Sequence, residues 1–132
     1  YGPYTDNLRH VLHRVEGYFI SGYADGGDDP DKQLQLVSGA EEEAKEFLRQ
    51  HAPETCLRIN RVATLVDGFE TPFGLELLAT VHWVIVNESA HSIRDVIRLV
   101  YSWNAHKRQF SERQINLAIH RLAQNGWIPS IS

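Results

Sequence analysis

The chain has 132 residues, 42% hydrophobic and 23% charged, which is the size and composition of one ordinary globular domain with enough apolar material for a core. Its formal net charge of −4 argues against a nucleic-acid binder; residues 1–50 carry 10 Asp/Glu against 5 Lys/Arg and residues 51–132 carry 7 against 8, so an acidic half of −5 precedes a slightly basic half of +1. The single cysteine, Cys56, excludes an internal disulfide and points to a cytoplasmic setting, no segment reads as a signal peptide or membrane span, and a chain without methionine that opens on Tyr1 is expected to be a domain excised from a longer protein.

Residues 6–20 read as a helix, with Leu8, Val11, Leu12, Val15 and Phe19 on one face. Thr5 or Asp6 caps it, and Gly17 either ends it or lets it run on to Gly22. Residues 25–31, DGGDDPD, read as a loop with little to bury. The alternation KQLQLV at 32–37 suggests a short strand. A helix follows from Ala40 to Gln50, with acids first and bases last, the order that suits the helix dipole. Residues 54–67 read as helical, with Leu57, Val62, Leu65 and Val66 facing inward.

Thr71-Pro72 signals the next helix start: Thr caps, and Pro fits the first position because its missing N–H would be unpaired there anyway. From Pro72 to Asn87 nearly every residue outside a narrow stripe of Glu76, Thr80 and Asn87 is apolar. A helix apolar on most of its circumference belongs at the centre of a domain. SIRD at 92–95 fits a capping box and opens a helix that buries Ile93, Val96, Ile97 and Val100. Ser111 and Gln114 form a second box, Phe110 is placed to staple onto Ile115, and Asn125-Gly126 ends the last helix. The fold expected is one compact, mainly α domain with minor β (α+β) over residues 1–132. A winged helix is one reading of the C-terminal part, with Trp127 and Ile128 beginning an extended tail.

Chemistry-bearing residues are sparse. Glu76 and His82 are an acid and a base, but six positions apart on one helix they lean to different faces and do not touch. His10 and His13 share a face but lack a third ligand pattern for zinc. Cys56 has no base beside it in sequence. No phosphate loop, dinucleotide fingerprint or serine-nucleophile elbow is present. No catalytic residue, metal site or cofactor is therefore assigned. Lys107, Arg108, Arg113 and Arg121 make the last helix and its approach a candidate DNA reader, which gives the alternative function: a winged-helix-like DNA-binding domain for operon autoregulation. The loop with Asp25, Asp28, Asp29 and Asp31 is either a solvated turn or a docking surface for a basic partner, since carboxylates spaced along a chain imitate the phosphates of a single strand.

Three stretches, HRVEGYFISGYADGGDDPDKQLQLV, RVATLVDGFETPFGLELLATVHWV and FSERQINLAIHRLAQNGWI, together resemble the C-terminal region of DarG-type antitoxins, bacterial macrodomain proteins paired with DarT toxins. The resemblance runs from about residue 8 to 128. It implies a partner, DarT, that uses NAD to ADP-ribosylate thymidine in single-stranded DNA, and an antitoxin whose N-terminal macrodomain reverses the modification while its C-terminal region binds the toxin. Nothing in the chain resembles the glycine-rich loops of a macrodomain, so no catalytic residue carries over. The expectation is a non-enzymatic antitoxin domain that meets the toxin through Asp25, Asp28, Asp29 and Asp31, with Tyr23 standing in for a stacked base. Glu41, Glu42, Glu43 and Glu76 are further candidates. Tyr101 and Trp103 are either interface anchors or core. No small-molecule substrate, nucleic acid or membrane is expected as a partner.

Overall fold

The computed structural model describes residue 5 and residues 7–23 and 33–131; Asp6, Lys32 and the loop acids Asp25, Asp28, Asp29 and Asp31 lie outside the described residues. These residues fall into two compact units, 5–59 and 60–131. The structure is mainly helical, with one two-stranded sheet among the described residues.

In the first unit, α1 spans Asn7–Val15. It ends there, short of the residue-20 end that the apolar spacing suggested, because Gly17 takes φ 80° and the chain turns back on itself, Glu16 bridging to Ile20. Phe19, read as the last residue of the helix face, lies in that turn. β1 (Ile20–Ser21) then pairs antiparallel with β2 (Gln35–Leu36), Ile20 opposite Leu36 and Ser21 opposite Gln35. Gly22 closes this ribbon. It has φ 94°, and a Cβ there would sit 2.8 Å from the carbonyl oxygen of Gln33. α2 (Ala40–His51) follows with Glu41, Glu42 and Glu43 in its first turn and Arg49 and His51 in its last.

α3 spans Pro53–Val66, and the boundary between the units falls within it. Of the four residues expected inside, Leu65 is buried and Val66 is partly so, whereas Leu57 is 66% and Val62 44% exposed. An apolar count alone does not turn a helix towards a core; only the end of α3 meets one.

The second unit is built around α4 (Pro72–Asn87), which packs chiefly on α6 (Glu112–Gln124) and α5 (Ile93–Trp103). Thr71 caps α4 as expected, its Oγ1 accepting the Gly74 N–H at 3.0 Å. Gly74 is buried where the helix start crosses the preceding chain: a Cβ there would lie 2.6 Å from the Phe69 carbonyl oxygen. Leu77, Leu78, Val81, Val84 and Ile85 of α4 meet Val96 and Val100 of α5 and Ile115, Ala118, Ile119 and Leu122 of α6 in one cluster. Each fully buried aliphatic side chain of this kind contributes about 1.5–3 kcal/mol relative to exposure.

A short 3-10 helix (Ala105–Gln109) joins α5 to α6. The box at Ser111 and Gln114 is complete, and Phe110 and Ile115 are both wholly buried. After α6 the chain turns at Asn125 and Gly126, Trp127 donating its N–H to the Leu122 carbonyl at 2.9 Å. No strand follows α6 among the described residues, so the wing anticipated at Trp127 and Ile128 is not formed there.

Candidate functional site

In the first unit, Ala40 is the only described residue of 5–59 that is fully buried. Leu8, Val11, Tyr18, Phe19, Leu36 and Phe47 are exposed large hydrophobics. Tyr23, one of the expected contact residues, is partly buried, its ring edge-on to that of His13 at 4.9 Å. The carboxylate of Glu16 holds the chain just before the acidic segment, Oε1 accepting the Gly22 N–H and Oε2 the Tyr23 N–H, both at 3.1 Å. Sequence reasoning did not single out Glu16, because an acid just past the end of a helix carries no mark of the two backbone N–H groups it accepts from.

Glu41, Glu42 and Glu43 are exposed. Glu41 pairs with Lys45, whose hydrogen bond, and then its charge, holds the Glu41 carboxyl below the usual range. His10 and His13 belong to no metal-binding cluster among the described residues.

The second unit brings together two residues that the sequence had assigned to different surfaces. Lys107, expected to face DNA, is completely buried. Its Nζ donates to Glu76 Oε1 at 2.5 Å and to Thr80 Oγ1 at 3.1 Å, and it lies 5.6 Å from the ring centroids of both Trp103 and Phe110. Glu76, expected at a partner surface, is the counter-charge of this cation, its side chain 27% exposed. A lysine is almost never fully buried unless paired, and here α4 supplies both partners one turn apart.

Arg121 is likewise used internally. Its Nε donates to the Leu65 carbonyl at 2.9 Å and its Nη2 to the Asp67 carbonyl, tying α6 to the end of α3. Arg108 and Arg113 are exposed. The four-residue basic set is therefore split: Arg108 and Arg113 are on the surface, Lys107 is buried, and Arg121, 28% exposed, is held by backbone carbonyls. Tyr101 donates its hydroxyl to the Phe110 carbonyl at 2.8 Å, and Trp103 packs against the core beside Trp83, ring centroids 6.5 Å apart. His82 does not meet Glu76; it lies edge-on to Trp127 at 6.0 Å, and burial pushes its imidazole below the usual histidine value, favouring the neutral form.

Two surface hollows lie within this unit. A broad groove of 680 Å³ is lined by Ser92, Ile93, Arg94, Ile97, Glu112 and Asn116, and a narrower one of 220 Å³ by Val84, Glu88, Leu99, Ser102 and Trp103.

No protein-family model matches this chain. Over nearly its whole length it is similar to part of bacterial DNA ADP-ribosyl glycohydrolases. The protein of that name from Thermus aquaticus is 38% identical over 126 residues, 96% of this chain and 34% of its own length. Those of Mycobacterium bovis and Mycobacterium tuberculosis are each 31% identical over 127 residues, 92% of this chain and 36% of theirs. The chain thus spans about a third of the length of the curated relatives it matches.

These names correct one expectation. The sequence, read for nucleophiles, motifs and metal ligands, gave a domain with no enzymatic role, yet each glycohydrolase is named for an enzymatic activity. Reading local motifs does not reveal the enzyme to which a matching stretch of relatives belongs. No described helix is long and apolar enough to cross a membrane.

Proposed function

We propose that this chain is the toxin-binding part of a DarG-type antitoxin and neutralises a DarT-type DNA ADP-ribosyltransferase by direct contact. Its acidic, strand-mimicking surface occupies the cleft through which the toxin takes single-stranded DNA and NAD. The observation that carries this reading is the surface of residues 5–59. It exposes Leu8, Val11, Phe19 and Leu36, and Ala40 alone among its described residues is fully buried, on a stretch of sequence rich in acids. Open apolar side chains on a segment of net negative charge suit a protein partner with a basic groove. An enzyme that modifies a DNA strand has such a groove, because it must hold phosphates. The names of the relatives supply the chemical context: a DNA ADP-ribosyl glycohydrolase acts on the product of a DNA ADP-ribosyltransferase.

The test is co-purification of the chain with the cognate toxin, followed by an assay of ADP-ribose transfer to a single-stranded oligonucleotide. The expected result is a stable complex and loss of transfer once the chain is equimolar with the toxin. Free toxin activity at a large excess of the chain would refute the reading.

A further inference from the structure

We propose that the narrow groove between the end of α4 and the second half of α5 is a receptor for an arginine side chain of a protein partner. At 220 Å³ it is smaller than the roughly 300–1,000 Å³ of small-molecule sites and holds about seven waters' volume, which suits one long side chain rather than a nucleotide. Val84 and Leu99 offer apolar surface for an aliphatic stem, and Trp103 offers an aromatic wall.

The polar groups decide the head group. Ser102 already donates its hydroxyl proton to the Leu99 carbonyl at 2.9 Å, so its Oγ presents only lone pairs. Glu88 is exposed, and its carboxylate has no hydrogen-bond or ion-pair partner among the described residues. Both oxygen-bearing side chains of the groove therefore accept, Glu88 with a full negative charge, and the donor on the lining is the indole N–H of Trp103. The occupant that suits these oxygens brings donors, carries positive charge to meet Glu88, and is flat enough to lie on an indole. A guanidinium has five N–H donors in one plane, no acceptor, and stacks on tryptophan. A thymine or adenine base brings no positive charge to meet Glu88, and a phosphate would be repelled.

The receptor is also held in place before anything binds. Glu88 caps α4, its N–H bonded to the Val84 carbonyl at 3.1 Å. Trp103 is held by Lys107 over its ring, and the charge of that lysine is offset by Glu76 and so does not oppose a second cation nearby. Trp83, 41% exposed, lies beside Trp103, ring centroids 6.5 Å apart. The inference rests on the proposed function in one respect: the basic partner that presents the arginine is the toxin.

Two measurements test it, and the first needs no toxin. The chain is titrated with acetyl-Gly-Arg-Gly-amide and with its citrulline counterpart, which keeps the shape and removes the charge, while the indole N–H resonance of Trp103 is followed by NMR. The arginine peptide is expected to shift that resonance, with both the citrulline peptide and the Glu88→Gln variant binding about tenfold or more weakly. Equal binding of the citrulline peptide, an unchanged affinity in Glu88→Gln, or stronger competition by thymidine or adenosine overturns the proposal. In the second measurement Glu88→Gln weakens the complex with the cognate toxin by about tenfold at unchanged circular dichroism; equal affinity overturns it. Should the unaltered chain fail to bind the toxin, the proposed function falls, and the peptide titration alone decides the groove.

Discussion

An ammonium group sealed from water by Trp103, Phe110 and α4 depends on whatever takes its charge, and for Lys107 that is Glu76 with help from Thr80. The two ends of the pair are not equivalent. Glu76→Leu leaves a completely buried cation with one hydroxyl acceptor, and breaking a buried pair in this way costs about 3–5 kcal/mol. Lys107→Met leaves a carboxylate whose side chain is 27% exposed and so recovers water, with a smaller loss of about 1–2 kcal/mol. The double variant, which removes both charges and keeps the volume, should lie near the native stability. Urea unfolding of the three variants checks the order, and equal losses for the two single variants would show that the ion pair is not what fixes Glu76 and Lys107. This pair was not legible in the sequence. Its members are 31 positions apart, and His106-Lys107-Arg108 looks like a solvated basic run. The nearest sequence signal is Asn104, whose side chain accepts the Lys107 N–H at 3.1 Å and winds the 3-10 turn that aims the lysine inward.

Helix starts and helix facing differ in how much the sequence discloses. Thr71, Ser92 and Ser111 all cap as their spacing predicts, because a cap is settled by side chains within three residues of the end. The central place of α4 was also legible, since a helix apolar all round has nowhere else to go. The end of α1 and the outward turn of Leu57 and Val62 were not, because both depend on what the rest of the chain brings alongside. Gly74 shows the same limit within α4. By propensity, Gly74→Ala in a helix gains about 1 kcal/mol. The new Cβ would, however, meet the Phe69 carbonyl oxygen at 2.6 Å, and that backbone is held by the Phe69 N–H bonded to the Val66 carbonyl at 2.7 Å. Overpacking against backbone costs about 1–3 kcal/mol, so Gly74→Ala is expected to destabilise the fold. A melting temperature at or above that of the unaltered chain would show that the crossing of Phe69 and α4 is loose.

Charge and apolar surface act at different ranges, and the chain keeps them on the same stretch of sequence: residues 1–50 carry the −5 excess and also the exposed Leu8, Val11, Phe19 and Leu36. Charges attract over about 8 Å at physiological salt and govern encounter, whereas apolar contacts form only on docking and govern release. The acids of the loop were legible as a candidate site from composition alone; the apolar half was not, because α1 reads as a core helix until its face is seen to be open. If this surface meets the toxin, the two components separate kinetically. Replacing Asp25, Asp28 and Asp29 together with Asn should slow association by about three- to tenfold at low salt, flatten its dependence on ionic strength, and leave dissociation nearly unchanged. Replacing Leu8 and Val11 with Ser should leave association nearly unchanged and speed dissociation by about tenfold or more. Surface plasmon resonance against immobilised toxin at several salt concentrations reads both rates. If the Asn variant instead dissociates faster with an unaltered salt slope, the loop acids make short-range contacts and do not steer. If the Ser variant changes neither rate, the open face of α1 is covered by something other than the toxin.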